Sequence, residues 1–423
     1  MNDAKQASPA FGGFLILPLK YDPDRLGRAR LEALGEPAPV TTADVNENIK
    51  AMFDPASPAS VGWGRVLPRQ ALWASLGGGR AGALKVRSGG REFDFSLEEA
   101  RLYVFNTRVA FLCLALTFPS METLAAICNP GWASSSAAFF RLDEAGQSRA
   151  FSLEGWLDGL LGPLGLQKFF DGPSSYLLDA YVYTFTLAPE WFDTLEEMRA
   201  VTFNLHKMVE PDAPMEDAAE EDIRYVFAAR NRDKNAYRWG CCVASQTISY
   251  VVADPALDLA AQLAVQAEDG LPVVLLALYE KYTCLRFTEL MARLKKGRMK
   301  ELRELKNLLL NFRAFGTAAP ANLSRWHNVK QIFANLLAVN DVEAAVADVS
   351  AKLDILAAHQ QELEHARSET VINLITLFGI VSILASVLSI VQILSDGNTL
   401  IWASTILTAG LLALATAFAL RRR

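Results

Sequence analysis

Two long apolar runs mark the C-terminal quarter of the chain. Residues 371–394 and 399–420 contain no Asp, Glu, Lys or Arg, and only Ser395, Asp396, Gly397 and Asn398 separate them. Each run is about the 20 residues a helix needs to cross a ~30 Å hydrocarbon core, so the pattern predicts two transmembrane helices joined by an outer loop at 395–398. So short a connection makes the helices antiparallel neighbours and leaves nearly all other residues on one side of the bilayer. Arg367 and the basic tail at 421–423 flank the pair on that side, which the positive-inside rule assigns to the cytoplasm. The expectation is a multi-pass protein of the plasma (inner) membrane with both termini cytoplasmic.

A second pattern leads into the first run. Val342, Val346, Val349, Leu353, Leu356 and Leu363 alternate at spacings of four and three, with Gln360 in the one polar slot, which is the periodicity of a coiled-coil seam. Through Arg367 and Thr370 the register continues into Leu374, Leu377, Val381, Leu384 and Leu388 without a Pro or a Gly pair. A stalk over 341–370 and a first membrane helix over 371–394 are therefore expected to form one rod, about 80 Å long at 1.5 Å per residue. A lone helix cannot cover its own seam. The rod must pack against cytoplasmic helices, against copies of itself, or both, and a homo-oligomer is the natural consequence.

Within the first run, Thr376, Gly379, Ser382, Ser386 and Ser389 recur at intervals of three and four, with Asn373 and Gln392 near the ends. On a helix this spacing gathers them on one face. Such a face lets membrane helices approach closely, with hydroxyls bonded to the preceding turn. In a ring of copies it would instead line a pore, its oxygens holding the water around a passing cation.

Upstream, the pattern is that of a mixed α/β domain over 1–252. An apolar run at 14–19 ends at Pro18 and a charged turn. Segments 84–86 and 92–95 form a hairpin around Ser88, Gly89 and Gly90, and strands at 102–105 and 109–117 flank Asn106 and Thr107. A short helix runs from Pro119 through Cys128, aromatic and β-branched strands cover 177–187 and 237–250, and 190–208 is helical between them. Segments 36–66 and 211–222 read as loops. After Asp254 and Pro255 the character turns helical: a cytoplasmic layer over 253–340 contains an apolar helix at 271–294, a basic amphipathic one at 299–315 and another at 323–339. The fold class expected is thus α+β (mixed α/β) followed by the stalk and the two-helix hairpin.

The 423 residues carry a net charge of -6, which conceals a segregation along the chain. From 293 to 330 there are ten basic and two acidic residues; from 341 to 370 there are seven acidic and two basic. Adjacent helices of these signs attract each other, and the basic stretch (Arg293, Lys295, Lys296, Arg298 and Lys300) also suits an anionic ligand or lipid head groups. No feature calls for a nucleic acid partner. The first ten residues have no secretory-signal pattern. Five cysteines without Cys-x-x-Cys spacing suit reduced core positions better than a disulfide or zinc framework.

Searches for enzyme chemistry return nothing specific, so no enzymatic activity is expected. The four histidines are scattered, the Gly-rich segment 76–82 lacks the Gly-Lys-Ser/Thr ending of a phosphate loop, and Gly159, Gly162 and Gly165 fit turns. No covalent cofactor is implied.

The layout as a whole resembles the CorA family of divalent-cation (Mg2+) transporters: an α/β cytoplasmic domain, a long stalk helix entering the first membrane helix, a short outer loop, a second membrane helix and a basic tail. The resemblance is concentrated in 341–423. It implies a funnel-shaped homopentamer in the lipid bilayer, with the first membrane helix lining the pore through Asn373, Thr376, Gly379, Ser382, Ser386 and Ser389. The family's outer loop begins with Gly-Met-Asn, whereas this chain has Asp396, Gly397 and Asn398, so the middle Met is absent. Asp396 at a pore mouth would concentrate cations, while Asp-Gly-Asn is also sound turn chemistry. For the family's regulatory acidic metal sites, Asp212, Glu216, Asp217, Glu220, Glu221 and Asp222 are the place to look.

Two functional expectations follow. One is a homo-oligomeric channel or transporter for cations, divalent by the resemblance, gated by its cytoplasmic domain. The other is a membrane-anchored sensor or effector, such as the CorA-like proteins of anti-phage defence, which the resemblance would have opened by a nucleotide messenger or a protein signal.

Overall fold

The structure is a computed structural model that describes residues 10–67, 69–76, 84–128, 138–142, 148–171, 175–215, 222–254, 256–294, 299–394 and 410. The chain forms two compact units, Met1–Leu294 with Arg303–Val349 and Lys295–Leu302 with Ser350–Arg423.

In chain order the elements are β1 (Phe11–Tyr21), α1 (Arg28–Glu32), β2 (Glu36–Pro37), α2 (Glu47–Phe53), β3 (Gly62–Leu67), α3 (Arg69–Ser75), β4 (Leu84–Ser88), β5 (Arg91–Phe105), β6 (Val109–Phe118) and α4 (Met121–Cys128). There follow β7 (Ala138–Leu142), β8 (Ser148–Phe151), α5 (Leu153–Leu161), β9 (Leu166–Lys168), β10 (Tyr181–Ala188), α6 (Leu195–His206), β11 (Arg224–Phe227), β12 (Trp239–Val243) and β13 (Thr247–Ala253). The helical part comprises α7 (Leu259–Glu268), α8 (Gly270–Arg293), α9 (Met299–Asn311), α10 (Pro320–Leu323), α11 (His327–Val339) and α12 (Val342–Leu394).

The strands form one sheet in the order β11-β12-β13-β10-β1-β6-β5-β4-β7-β8, with β3 beside β5, β2 beside β3, and β9 beside β1. Neighbours are antiparallel except β10 and β13, whose parallel pairing is bridged by a crossover containing α6. Central strands β1 and β6 are buried along their whole length, which is why they read as continuous apolar runs rather than as alternations. One face is covered by α3, α4 and α5 over Leu15, Leu17, Leu112 and Leu114. The other is covered by α7 and α8: Tyr279 stacks on Phe105 at 4.3 Å, Tyr282 meets Phe111 edge-on at 5.6 Å, and the hydroxyls of Thr107 and Thr283 bond at 2.8 Å. The five cysteines are buried and free, as core residues.

Several boundaries differ from the sequence expectation for physical reasons. Pro18 does not end the first strand, because it falls between the last β10 pair of β1 at Ile16 and the first β9 pair at Leu19, where its missing N–H breaks no ladder on that side. Segment 237–250 is not one strand but a hairpin, β12 turning at Ala244–Gln246 into β13, with Trp239 opposite Val252. Segment 36–66 is more than a loop, since β2, α2 and β3 lie within it. The hairpin around Gly89 and Gly90 is as expected: Ser88 pairs with Arg91 and both glycines have positive φ, +56° and +80°, the conformation a two-residue type I′ turn requires.

Helix α8 is apolar because protein covers it. It and α7, bent by 42° between them, together pass a composition test for a membrane span, yet α8 is buried from Leu271 to Glu280 and also contains Glu280, Lys281 and Arg286. The amphipathic helix expected over 299–315 ends at Asn311, and a π turn, Phe312–Gly316, replaces its last turn.

Helix α12 runs for 53 residues. The seam's unbroken register predicts one helix, and one helix is what forms. Within it Ser368–Val387 is, among the described residues, the one helical segment outside the α7–α8 pair long and apolar enough to cross a membrane, and almost none of it is buried. The second apolar run, 399–420, lies outside the described residues except for Gly410.

Candidate functional site

The six pore-lining candidates, Asn373, Thr376, Gly379, Ser382, Ser386 and Ser389, all lie on α12 and all are exposed. At about 100° per residue Thr376, Gly379, Ser382, Ser386 and Ser389 centre on the side away from the seam, whereas Asn373 falls beside the seam position Leu384. On the seam side Leu374 and Leu377 are half-buried and Val381 is buried. The two sides therefore differ in chemistry and in cover.

The hydroxyls have a defined orientation. Thr376 Oγ1 donates to the Ile372 carbonyl at 2.8 Å, Ser386 Oγ to Ser382 at 2.9 Å and Ser389 Oγ to Ala385 at 2.9 Å. Each hydroxyl proton is thus spent on the carbonyl one turn earlier. What these oxygens offer outward is lone pairs, which suit a cation or the protons of its hydration water, not an anion.

Asp396, Gly397 and Asn398, and Lys295, Lys296 and Arg298 of the basic patch, lie outside the described residues. Lys300 is exposed on α9. Arg293, at the end of α8, bonds Asp171 at 3.0 Å and also Glu289. That places it in a charge cluster. In this cluster Lys20, 4% exposed on β1, bonds Glu289 at 2.8 Å and Asp171 at 2.9 Å, and Arg286 reaches the Tyr21 carbonyl at 3.2 Å. Burial pushes the Glu289 carboxyl up, but bonds from Lys20 and Arg286 outweigh it and hold the group below the usual carboxylate range.

Of the acidic candidates, Asp212 and Asp222 are exposed, and Glu216, Asp217, Glu220 and Glu221 lie outside the described residues. Among the described residues no group of three or more His, Cys, Asp or Glu is placed to hold a metal ion. His206 bonds Thr247, and burial pushes its imidazole down to about 4, so it is neutral at physiological pH.

Sequence reasoning gave no sign of Glu280. It is 4% exposed on α8 and accepts the Ala318 N–H at 2.9 Å from the segment between the π turn and α10. Burial raises its carboxyl to about 8, the backbone donor opposing the rise. Between pH 4.5, its unfolded value, and about 8 the folded chain keeps a proton that the unfolded chain has lost. Stability is therefore greatest below that window and falls through it as pH rises, by up to about 1.4 kcal/mol per pH unit. Glu280→Gln keeps an acceptor for Ala318 without the titration, and thermal unfolding at pH 5 and pH 8 is expected to show a smaller pH difference than in the wild type.

A cleft of about 690 Å3 opens beside α2 and β3, lined by Trp63, Arg65, Lys50 and Glu47 among others. Its cations are engaged: Arg65 lies 5.8 Å from the Trp63 ring centre and Lys50 bonds Glu47 at 2.7 Å.

No family model matches the chain, and no curated protein matches it in sequence.

Proposed function

We propose that this protein is a homo-oligomeric membrane channel or transporter for cations, in which copies of α12 surround the path with the Thr376–Ser389 face. The observation that carries this reading is the division of α12. On the seam side Leu374 and Leu377 are half-buried and Val381 is buried, while Leu384 and the whole stripe of acceptor oxygens are exposed along a segment apolar enough for a bilayer. Exposed hydroxyls facing lipid gain nothing, whereas facing a shared axis they hydrate a passing ion. The second apolar run, 399–420, would complete a hairpin and supply the outer wall, with Asp396, Gly397 and Asn398 at the entrance. Divalent cations and a pentamer are the cargo and stoichiometry that the resemblance to the CorA layout implies.

Native mass spectrometry of the detergent-solubilised chain is expected to show one closed oligomer of five copies. A monomer or dimer would leave α12 as an anchor and remove the pore. Proteoliposomes loaded with a cation-sensitive dye are expected to admit Mg2+ or another divalent cation only when they contain the protein.

A further inference from the structure

The β12–β13 hairpin, α7, the first turn of α8 and α11 line an open cavity of about 400 Å3. Its walls are aromatic and aliphatic: Trp239, Tyr250, Val252, Val273 and Ile332. Against them stand two carboxylates, Asp44 from the segment before α2 and Asp269 from the α7–α8 junction. Neither carboxylate forms an ion pair or a side-chain hydrogen bond among the described residues. Burial and the nearby Asp269 charge raise the Asp44 carboxyl, with Arg325 opposing. The two carboxylates thus line one cavity without a bonded cation among the described residues. Arg238, also in the lining, is bonded to Asp254, and Arg325 lies over the Trp326 ring at 4.8 Å.

Two amides complete the polar side. Gln262, 4% exposed, lines the cavity and forms no side-chain hydrogen bond among the described residues. Its amide is therefore free to bond a molecule held in the cavity. Gln266 accepts the Tyr183 hydroxyl, and Gly270 is required beside that bond because a Cβ there would collide with the Tyr183 hydroxyl.

We propose that this cavity binds a small organic cation, a protonated amine carried on an apolar body. The ammonium would sit between Asp44 and Asp269 with Gln262 Oε1 as a further acceptor, and the apolar part would lie against Trp239 and Tyr250, where aromatic faces also favour a cation. A divalent metal fits less well. Mg2+ demands six oxygens in near-octahedral geometry, and most of this lining is hydrocarbon.

The site has a route to the membrane part. Val329 and Ile332 of α11 form part of the lining, and only Asn340 and Asp341 separate α11 from α12. Lys281 of α8 bonds Asn340 Oδ1 at 2.7 Å, fixing that corner to the body. A ligand in the cavity would touch the helix that feeds α12. This gating role rests on the conduction reading; the binding itself does not.

The test uses the full chain in detergent, with Trp fluorescence and thermal unfolding as readouts. 2-Phenylethylamine and 1-aminopentane are the probes, and 2-phenylethanol and MgCl2 the comparisons. Saturable binding of at least one amine is expected, weakened about tenfold or more by Asp44→Asn or Asp269→Asn as a charge partner is lost, with no comparable response to the alcohol or to Mg2+. Asp44 lies on a surface segment, so D44N keeps the test decisive if D269N disturbs α8. An equal response to the alcohol, a response to Mg2+ alone, unchanged affinity in both variants, or no saturable response to either amine would each overturn the proposal. Because these readouts do not involve flux, a channel that fails to conduct leaves the binding result standing. Normal conduction without amine binding removes the site and spares the channel.

Discussion

Replacing Ser382 and Ser386 together by leucine is expected to reduce cation flux into proteoliposomes to the level of protein-free vesicles while leaving the oligomer intact. Both side chains lie on the exposed face of α12, within its apolar window. Leucine is the better helix former, and both positions are exposed, so the helix and its seam are expected to persist. What changes is the lining. Ser386 Oγ, whose proton goes to the Ser382 carbonyl, loses its outward lone pairs, and two isobutyl groups per copy narrow and dry the path. Hydrophobic constrictions of this kind close pores by dewetting. Leu384→Ile, on the seam side, changes no polar surface and is expected to conduct normally. The checks are dye-reported flux and native mass on the same preparations. Equal flux in wild type and double mutant would remove α12's hydroxyl face from the conduction path.

The largest expected effect on stability is at Phe105. Its ring stacks on Tyr279 at 4.3 Å and meets Phe53 and Phe111 edge-on at 5.9 Å each, so one side chain joins β5, α2, β6 and α8. Phe105 is 1% exposed, and the neighbours that would have to fill the space are themselves in the core. Phe105→Ala is therefore expected to cost about 3–5 kcal/mol, the range for deleting a large buried aromatic where collapse is restricted. Denaturant unfolding of the full chain in detergent, followed by tyrosine and tryptophan fluorescence, measures it. A loss under about 1 kcal/mol would mean that the aromatic layer between sheet and α8 repacks freely.

The fold was legible where a local rule is strong. The Gly89–Gly90 turn, the β5–β6 hairpin around Asn106 and Thr107, and the run of α12 could be read because turn chemistry and heptad spacing act over few residues. Segment 237–250 misled because its aromatic and β-branched content fits one strand as well as two. Only pairing with β10 and β11 on either side makes the turn at Ala244–Gln246 favourable. Segment 36–66 misled in the opposite sense: its Pro, Ala and Ser content reads as loop, while β3 forms because β5 offers it an edge.

The candidate sites divide in the same way. The hydroxyl stripe is a periodicity, and periodicity is visible in a sequence. Glu280, Gln262 and the carboxylates Asp44 and Asp269 carry no such signal, since each is ordinary in its own segment and gains its chemistry from what folds around it.

By itself the sequence determined that a mixed α/β body precedes one long helix, and that this helix contains a stretch suited to a bilayer with hydroxyls along one side. Those properties depend on spacing along the chain, which helical geometry converts directly into faces. The tertiary structure decided that the hydroxyl stripe of α12 is exposed, that the apolar α8 belongs to a core, and which carboxylates line one cavity without a bonded cation among the described residues. Burial and electrostatic proximity are relations between residues far apart in the chain, and they take values only once the sheet and helices have packed.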